Sequence, residues 1–324
     1  MKYKVKFALL FPGQGAQAVG MGKDLAEQFS AARRRFEEAD SLLGYPLSRL
    51  CWEGPAEELT RTEHCQPALY VTSLAALAAL ESVVASRPWG GTGAGGEAGS
   101  FSPAAGAGLS LGEYTALAAA GALSFADGLR IVRLRGQAME EASRQSPGTM
   151  ASILGMEMDP LEEICAATGA QVANLNSPGQ VVISGSPENV QAAMGKAKER
   201  GAKRVIPLEV SGAFHSRLME PAAERLRAAL ASVELKSPRF PVLSNVTGKP
   251  HGDPTSIREL LVQQLTRPVR WEACVREMLR QGIASFLEVG SGAVLKGLLR
   301  KIEPSAQVRS AGTAEEIRQA AQTS

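Results

Sequence analysis

Cysteine is sparse in this chain, and what there is lies far apart. Cys51, Cys65, Cys165 and Cys274 form no C-x-x-C pair and no disulfide-dense spacing, so a disulfide-stapled scaffold is excluded. Charge of one sign is lacking too: the formal net charge is +2, and nothing in that total suggests nucleic acid. No uninterrupted apolar run approaches a bilayer span, since Leu69–Leu80 is broken by Thr72 and Ser73. The start, Met1 to Lys6, passes directly into a strand-like segment ending at Phe11 and carries no leader-type cleavage pattern. These absences lead us to expect a reduced, cytoplasmic enzyme. Its 324 residues suffice for one large domain or two smaller ones.

The stretch that is present and informative is Gly108-Leu109-Ser110-Leu111-Gly112-Glu113, followed by small and apolar residues from Thr115 to Leu123. Gly-x-Ser-x-Gly fits a nucleophile elbow, a tight strand-to-helix turn that lifts a serine hydroxyl clear of a sheet. The following helix aims its first N–H groups at the place where negative charge develops in acyl transfer. Upstream, Pro12-Gly13-Gln14-Gly15 turns off the strand Phe7–Phe11. It is either a plain strand-to-helix turn or a loop whose backbone N–H faces a reacting carbonyl.

The chain holds three histidines, so the search for a general base is short. His64 sits in a polar turn and His251 in a loop between Pro250 and Gly252. His215, in Gly212-Ala213-Phe214-His215-Ser216, stands where a second unit hands the chain back, and is the leading base candidate. A helix opened by Ser124-Phe125-Ala126-Asp127 carries Arg135 in the middle of its apolar arc, among Leu129, Val132, Leu134 and Met139. A guanidinium there needs a carboxylate, supplied either by the protein as an internal salt bridge or by a ligand.

Periodicity divides the chain. Helices are expected over Lys23–Ser41 and Gln66–Ala85, and the glycine-rich stretch Arg87–Ser100 reads as a surface loop. From Met150 the order strand, helix, hairpin, helix, strand predicts a ferredoxin-like unit closing at Val205–Val210. Strands at Val242–Asn245 and Ser285–Val289 and a last helix after Gly290-Ser291-Gly292 complete the larger sheet. The expected fold is therefore α/β: an α/β-hydrolase-like domain with a parallel sheet (residues 1–143 and 211–324) carrying an inserted ferredoxin-like α+β domain (144–210). A cleft between the two is the natural substrate site. No acidic residue stands out as a third triad member, although Glu288 at a strand's end qualifies by position.

Four motifs occur in order: Pro12-Gly13-Gln14-Gly15-Ala16-Gln17, the serine motif, Gly212 to Ser216, and Gln264 with Pro268-Val269-Arg270-Trp271. In these the chain resembles malonyl-CoA:acyl carrier protein transacylases and the acyltransferase domains of polyketide and fatty acid synthases, over roughly Lys6 to Leu299. The resemblance implies Ser110 as nucleophile, His215 as its base and the Gln264 carbonyl as the group holding His215. It implies the backbone N–H groups of Gln14 and Leu111 as oxyanion hole, and Arg135 as the grip on the malonyl carboxylate. Many relatives place His before the serine where this chain has Leu109, which we expect to point away from the hydroxyl and change packing only.

The implied activity is transfer of malonyl from malonyl-CoA to acyl carrier protein for fatty acid biosynthesis, with no metal and no cofactor. A trans-acting polyketide acyltransferase and a thioester hydrolase are the alternatives. Carrier proteins of this type are acidic, so Lys203 and Arg204 on the inserted unit are expected docking residues. We expect a monomer that engages neither nucleic acid nor membrane.

Overall fold

The structure, a computed structural model, describes residues 6–85 and 101–322. The expected loop over Arg87–Ser100 lies outside the described residues. β1 (Phe7–Phe11) leads into α1 (Lys23–Gln28), α2 (Ser30–Leu43), α3 (Leu47–Glu53), α4 (Ala56–Thr60) and the long α5 (Thr62–Ala85). Next come β2 (Ala105–Gly108), α6 (Leu111–Ala119) and α7 (Phe125–Gln145). A second unit follows: β3 (Thr149–Leu154), α8 (Met158–Thr168), β4 (Gln171–Ser177), β5 (Gln180–Gly185), α9 (Pro187–Glu199) and β6 (Arg204–Pro207). The chain returns through α10 (Glu220–Ala231), α11 (Pro254–Gln263), α12 (Trp271–Arg280), β7 (Ser285–Val289), α13 (Val294–Ile302), β8 (Gln307–Ala311) and α14 (Ala314–Gln322).

The larger sheet runs β2-β1-β7-β8, every pair parallel. Leu9 and Phe11 of β1 face one apolar core, while Ala8 and Leu10 face another on the opposite side. That burial on both faces is why β1 reads as an unbroken apolar run rather than an alternation. The strand expected at Val242–Asn245 is reduced to two isolated bridges, Val242 to Gly106 in parallel and Leu243 to Pro250 antiparallel. Asn245 is diverted from strand pairing: its N–H donates to Glu113 Oε2 over 3.1 Å and its carbonyl accepts from Arg270 N–H over 2.8 Å, while its side chain bonds the backbone around Ser110.

Three further expectations are corrected. The helix expected over Lys23–Ser41 breaks at Phe29, whose backbone is extended (φ −128°, ψ 114°). The Arg318 guanidinium of α14 lies 5.5 Å from the Phe29 ring centroid. The pair β8–α14 was not anticipated, because Gln-Val-Arg-Ser-Ala is a half-exposed edge strand without an apolar signature. Helix α5 starts a turn earlier than expected and takes Pro67 into its interior. At that length it is long and apolar enough to cross a bilayer by composition, yet most of it is buried inside the fold.

The second unit is the expected βαββαβ, an antiparallel sheet ordered β4-β5-β3-β6. One face, with Ala151, Ile153, Val181 and Ile183, is covered by α8 and α9. The other turns Met150, Ala173 and Val182 toward the large core. The β4 edge is tied to the larger unit: Leu175 N–H donates to Val269 O over 2.9 Å, and Val269 N–H to Ala173 O over 2.8 Å. This seam holds the small sheet over the end of β2, where the serine lies.

Candidate active site

Ser110 sits between β2 and α6 with φ 52° and ψ −103°. A β-carbon-bearing residue held there costs on the order of 1–3 kcal/mol. The surroundings enforce it: Ser110 N–H donates to Asn245 Oδ1 over 2.7 Å, and Asn245 Nδ2 donates to Gly108 O over 2.8 Å. Glycine is required on both sides of the turn. A Cβ on Gly108 would lie 1.9 Å from the Gly112 carbonyl carbon, and one on Gly112 2.1 Å from Phe11 O.

His215, on the segment after β6, is the other non-glycine residue with positive φ, at 59°, among the described residues. Its Nε2 lies 2.9 Å from Ser110 Oγ and its Nδ1 2.7 Å from the carbonyl oxygen of Gln264. A carbonyl can only accept, so the network assigns the proton to Nδ1 and leaves Nε2 to receive the serine proton. Burial, and after it the positive charge of Arg135, pulls the imidazole down from 6.5 to about 4, with the Gln264 carbonyl working the other way. At neutral pH it is a free base, as a proton acceptor must be.

Arg135, on α7, is 1% exposed. Nη1 donates to Gln66 Oε1 over 2.8 Å, and Nη2 donates to both Ser110 Oγ and Gln264 Oε1 over 3.0 Å each. The guanidinium lies 5.3 Å from the Tyr114 ring centroid. Nε is buried without an acceptor among the described residues. Of the two partners left open by its place in the apolar arc, the protein does not supply the carboxylate: its hydrogen-bond acceptors are neutral. A buried cation with a spare donor is suited to an anionic ligand.

Ser110, His215 and Arg135 open into a cleft of about 220 Å³ whose far wall is the small sheet, through Met150, Asn174 and Val182. Gln14 and Leu111 line it as well. As the first residue of α6, Leu111 has no intrahelical acceptor for its N–H. Leu109 lines the cleft as well and packs on the core around Leu10. Phe214, from the same segment as His215, closes another side.

Glu288 does not join this group. Its carboxylate caps α13, accepting from Leu295 N–H over 3.0 Å and Lys296 N–H over 2.8 Å. His64 is likewise engaged elsewhere, 2.9 Å from Glu58. Lys203 and Arg204 are exposed. Arg204 stands in register with Leu154, which pairs with Gln180 on the cleft wall, so the two cations lie beside the cleft rather than in it.

Comparison with known proteins gives this geometry its family. The model of the acyl transferase domain matches residues 8–320. The chain belongs to the acyl transferase domain family. A malonyl CoA-acyl carrier protein transacylase of Bacillus subtilis is 46% identical over 323 residues, covering 98% of this chain and 97% of that one. The crystal structure of an acyl-carrier-protein-S-malonyltransferase from Bartonella henselae superposes with a TM-score of 0.90 at 42% identity, covering 98% and 99% of the two chains. A malonyl-transacylase solved in complex with its type II PKS acyl-carrier protein superposes at 0.89 with 38% identity, covering 98% and 100%.

Sequence reading of this acyltransferase missed Gln66, Asn245 and Glu113, all buried and bonded to Arg135, Ser110 or Gln264. Glu113 follows the elbow glycine directly, which was its one local signal. Gln66 and Asn245 reach the site only because α5 and the turn after Val242 fold beside α6 and α7.

Proposed function

We propose that this acyltransferase moves a malonyl group from malonyl-CoA to the phosphopantetheine thiol of acyl carrier protein, through a malonyl ester on Ser110, in support of fatty acid biosynthesis. One observation carries the reading: a hydroxyl 2.9 Å from a histidine nitrogen is also 3.0 Å from a buried guanidinium. A generic hydrolase has no use for that cation; a substrate with a carboxylate at the far end of its acyl group does.

In the first half-reaction His215 Nε2 takes the hydroxyl proton as Ser110 Oγ attacks the thioester carbonyl. The oxyanion rests on the backbone N–H groups of Gln14 and Leu111. Collapse breaks the C–S bond, and the proton on His215 leaves with coenzyme A. The ester keeps its carboxylate on Arg135. In the second half the carrier thiol gives its proton to His215, its sulfur attacks the ester carbonyl, and Ser110 Oγ recovers the proton. The reaction as written calls on no metal or cofactor.

Residues 144–210 form in this reading an inserted ferredoxin-like domain, with Lys203 and Arg204 attracting an acidic carrier. We place the protein in the cytoplasm as a monomer that engages neither nucleic acid nor membrane. Supply of a polyketide carrier in trans is the second reading, favoured by the likeness to the transacylase solved with a type II PKS carrier.

The test is intact-mass measurement after mixing with a panel of acyl-CoAs, followed by addition of fatty acid or polyketide carrier. Malonyl-CoA should add one malonyl unit to wild type and none to Ser110→Ala, and carrier should remove it as malonyl-carrier. Label on a cysteine, or release of free malonate as fast as transfer, would defeat the reading.

A further inference from the structure

Glu113 is fully buried on the first turn of α6, three residues past Ser110, and neither half-reaction uses it. Burying a carboxylate is costly unless its oxygens are paired. Both are. Oε1 accepts from His251 Nε2 over 2.7 Å, and Oε2 accepts from Gln264 Nε2 over 2.6 Å and from Asn245 N–H over 3.1 Å. The His251 side chain is itself 0% accessible. It is brought under the elbow by the turn after Val242, whose carbonyl accepts from His251 N–H over 2.8 Å.

The consequence falls on Gln264. Its carboxamide has a donating end and an accepting end that a flip would exchange. The donating end bonds Glu113 Oε2 and, over 3.0 Å, Ser110 O; the accepting end takes a hydrogen bond from Arg135 Nη2. The main-chain carbonyl of the same residue holds His215 Nδ1. A flipped carboxamide would set NH₂ against guanidinium and oxygen against carboxylate. Glu113 therefore decides the orientation, and His251 turns Glu113 by occupying its other oxygen.

We propose that His251 and Glu113 are positioning residues that lock the Gln264 carboxamide, and through it the Arg135 guanidinium, in the arrangement that malonyl transfer needs. This rests on the transfer reading above. Because Arg135 contacts the acyl carboxylate in that reading, a loosened Gln264 should cost malonyl more than acetyl. A role confined to folding would leave the ratio of the two unchanged.

The experiment compares wild type with His251→Leu and His251→Gln, measuring kcat and KM for malonyl-CoA and acetyl-CoA per active site titrated by acylation. His251→Leu removes the donor to Oε1, whereas His251→Gln retains an N–H of similar reach. His251→Leu should lower kcat/KM for malonyl about tenfold and shrink the malonyl-to-acetyl ratio at least about threefold. His251→Gln should restore most of both. If His251→Leu does not fold, Glu113→Gln serves: its amide NH₂ must oppose a neighbouring donor, and the same fall in ratio is expected. An unchanged ratio in folded variants overturns the positioning role alone. A wild type that never acylates at Ser110 overturns the transfer reading and this one together.

Discussion

The guanidinium of Arg135 donates to the hydroxyl of Ser110 over 3.0 Å. One atom thus accepts from a fixed cation while giving its own proton to His215. The contact does two things. In the proposed reaction it places positive charge beside the attacking oxygen, and it puts the group proposed to hold the acyl carboxylate within one acyl length of the bond to be made.

Arg135→Ala should therefore lower kcat/KM for malonyl-CoA by at least on the order of tenfold, a charge-assisted contact being worth roughly 1.5–3 kcal/mol. Acetyl-CoA has no carboxylate and loses only the charge beside Ser110 Oγ, so its kcat/KM should fall much less than that for malonyl-CoA. Arg135→Lys should rescue only partly, since an ammonium cannot make the planar two-point contact. Parallel losses for both substrates would make Arg135 structural.

The depressed His215 gives a pH test with a definite sign. With the imidazole held down to about 4, the base form persists well below the ordinary histidine range. The acylation half-reaction should stay flat from neutral pH to about 5 and fall only as pH approaches about 4. Stability follows the same linkage. The unfolded chain protonates this residue near 6.5 and the folded one near 4, so stability is fully present above 6.5 and declines as pH falls through that window. Stopped-flow acylation and urea titrations across that range check both; an acid limb near 6.5 would contradict the burial argument.

Carrier docking should be electrostatic. Charge reversal at Lys203 and Arg204 is expected to raise KM for acyl carrier protein severalfold while leaving acylation by malonyl-CoA unchanged. The wild-type carrier KM should itself rise with salt, because screening lengths shorten to roughly 10 Å at 0.1 M. Equal damage to both half-reactions would point to misfolding.

Glu288→Ala separates a helix cap from a triad acid. Losing the acceptor for two N–H groups of α13 should cost about 1–2 kcal/mol in denaturant unfolding. Acylation per folded molecule should survive within about threefold. A thousandfold loss of acylation with normal stability would return Glu288 to the mechanism.

Much of this was legible because it is local. The serine turn needs glycines two residues either side, since backbones approach there too closely for a Cβ, and that requirement is written within five consecutive positions. The βαββαβ unit shows in its order of short strand-like and helical segments, with the turn around Pro178-Gly179 marking the hairpin. Where exposure blurred the pattern, as in β8, the reading failed. It failed at Val242–Asn245 for another reason: the run turns at Ser244, whose N–H goes to Lys249 O, and Asn245 N–H goes to Glu113 rather than to a neighbouring strand.

What no stretch of sequence states is how groups far apart in the chain share one polar network. Arg135 in an apolar arc announces a need for a partner, yet only the fold shows that the protein meets it with Gln66, Gln264 and Ser110 and with no carboxylate. Gln264 reaches Glu113, Ser110, His215 and Arg135 at once because α11 ends against α6 and α7. Hydrogen bonds depend on distances of about 3 Å. Such distances between remote residues are set by packing, which periodicity and spacing along the chain do not encode.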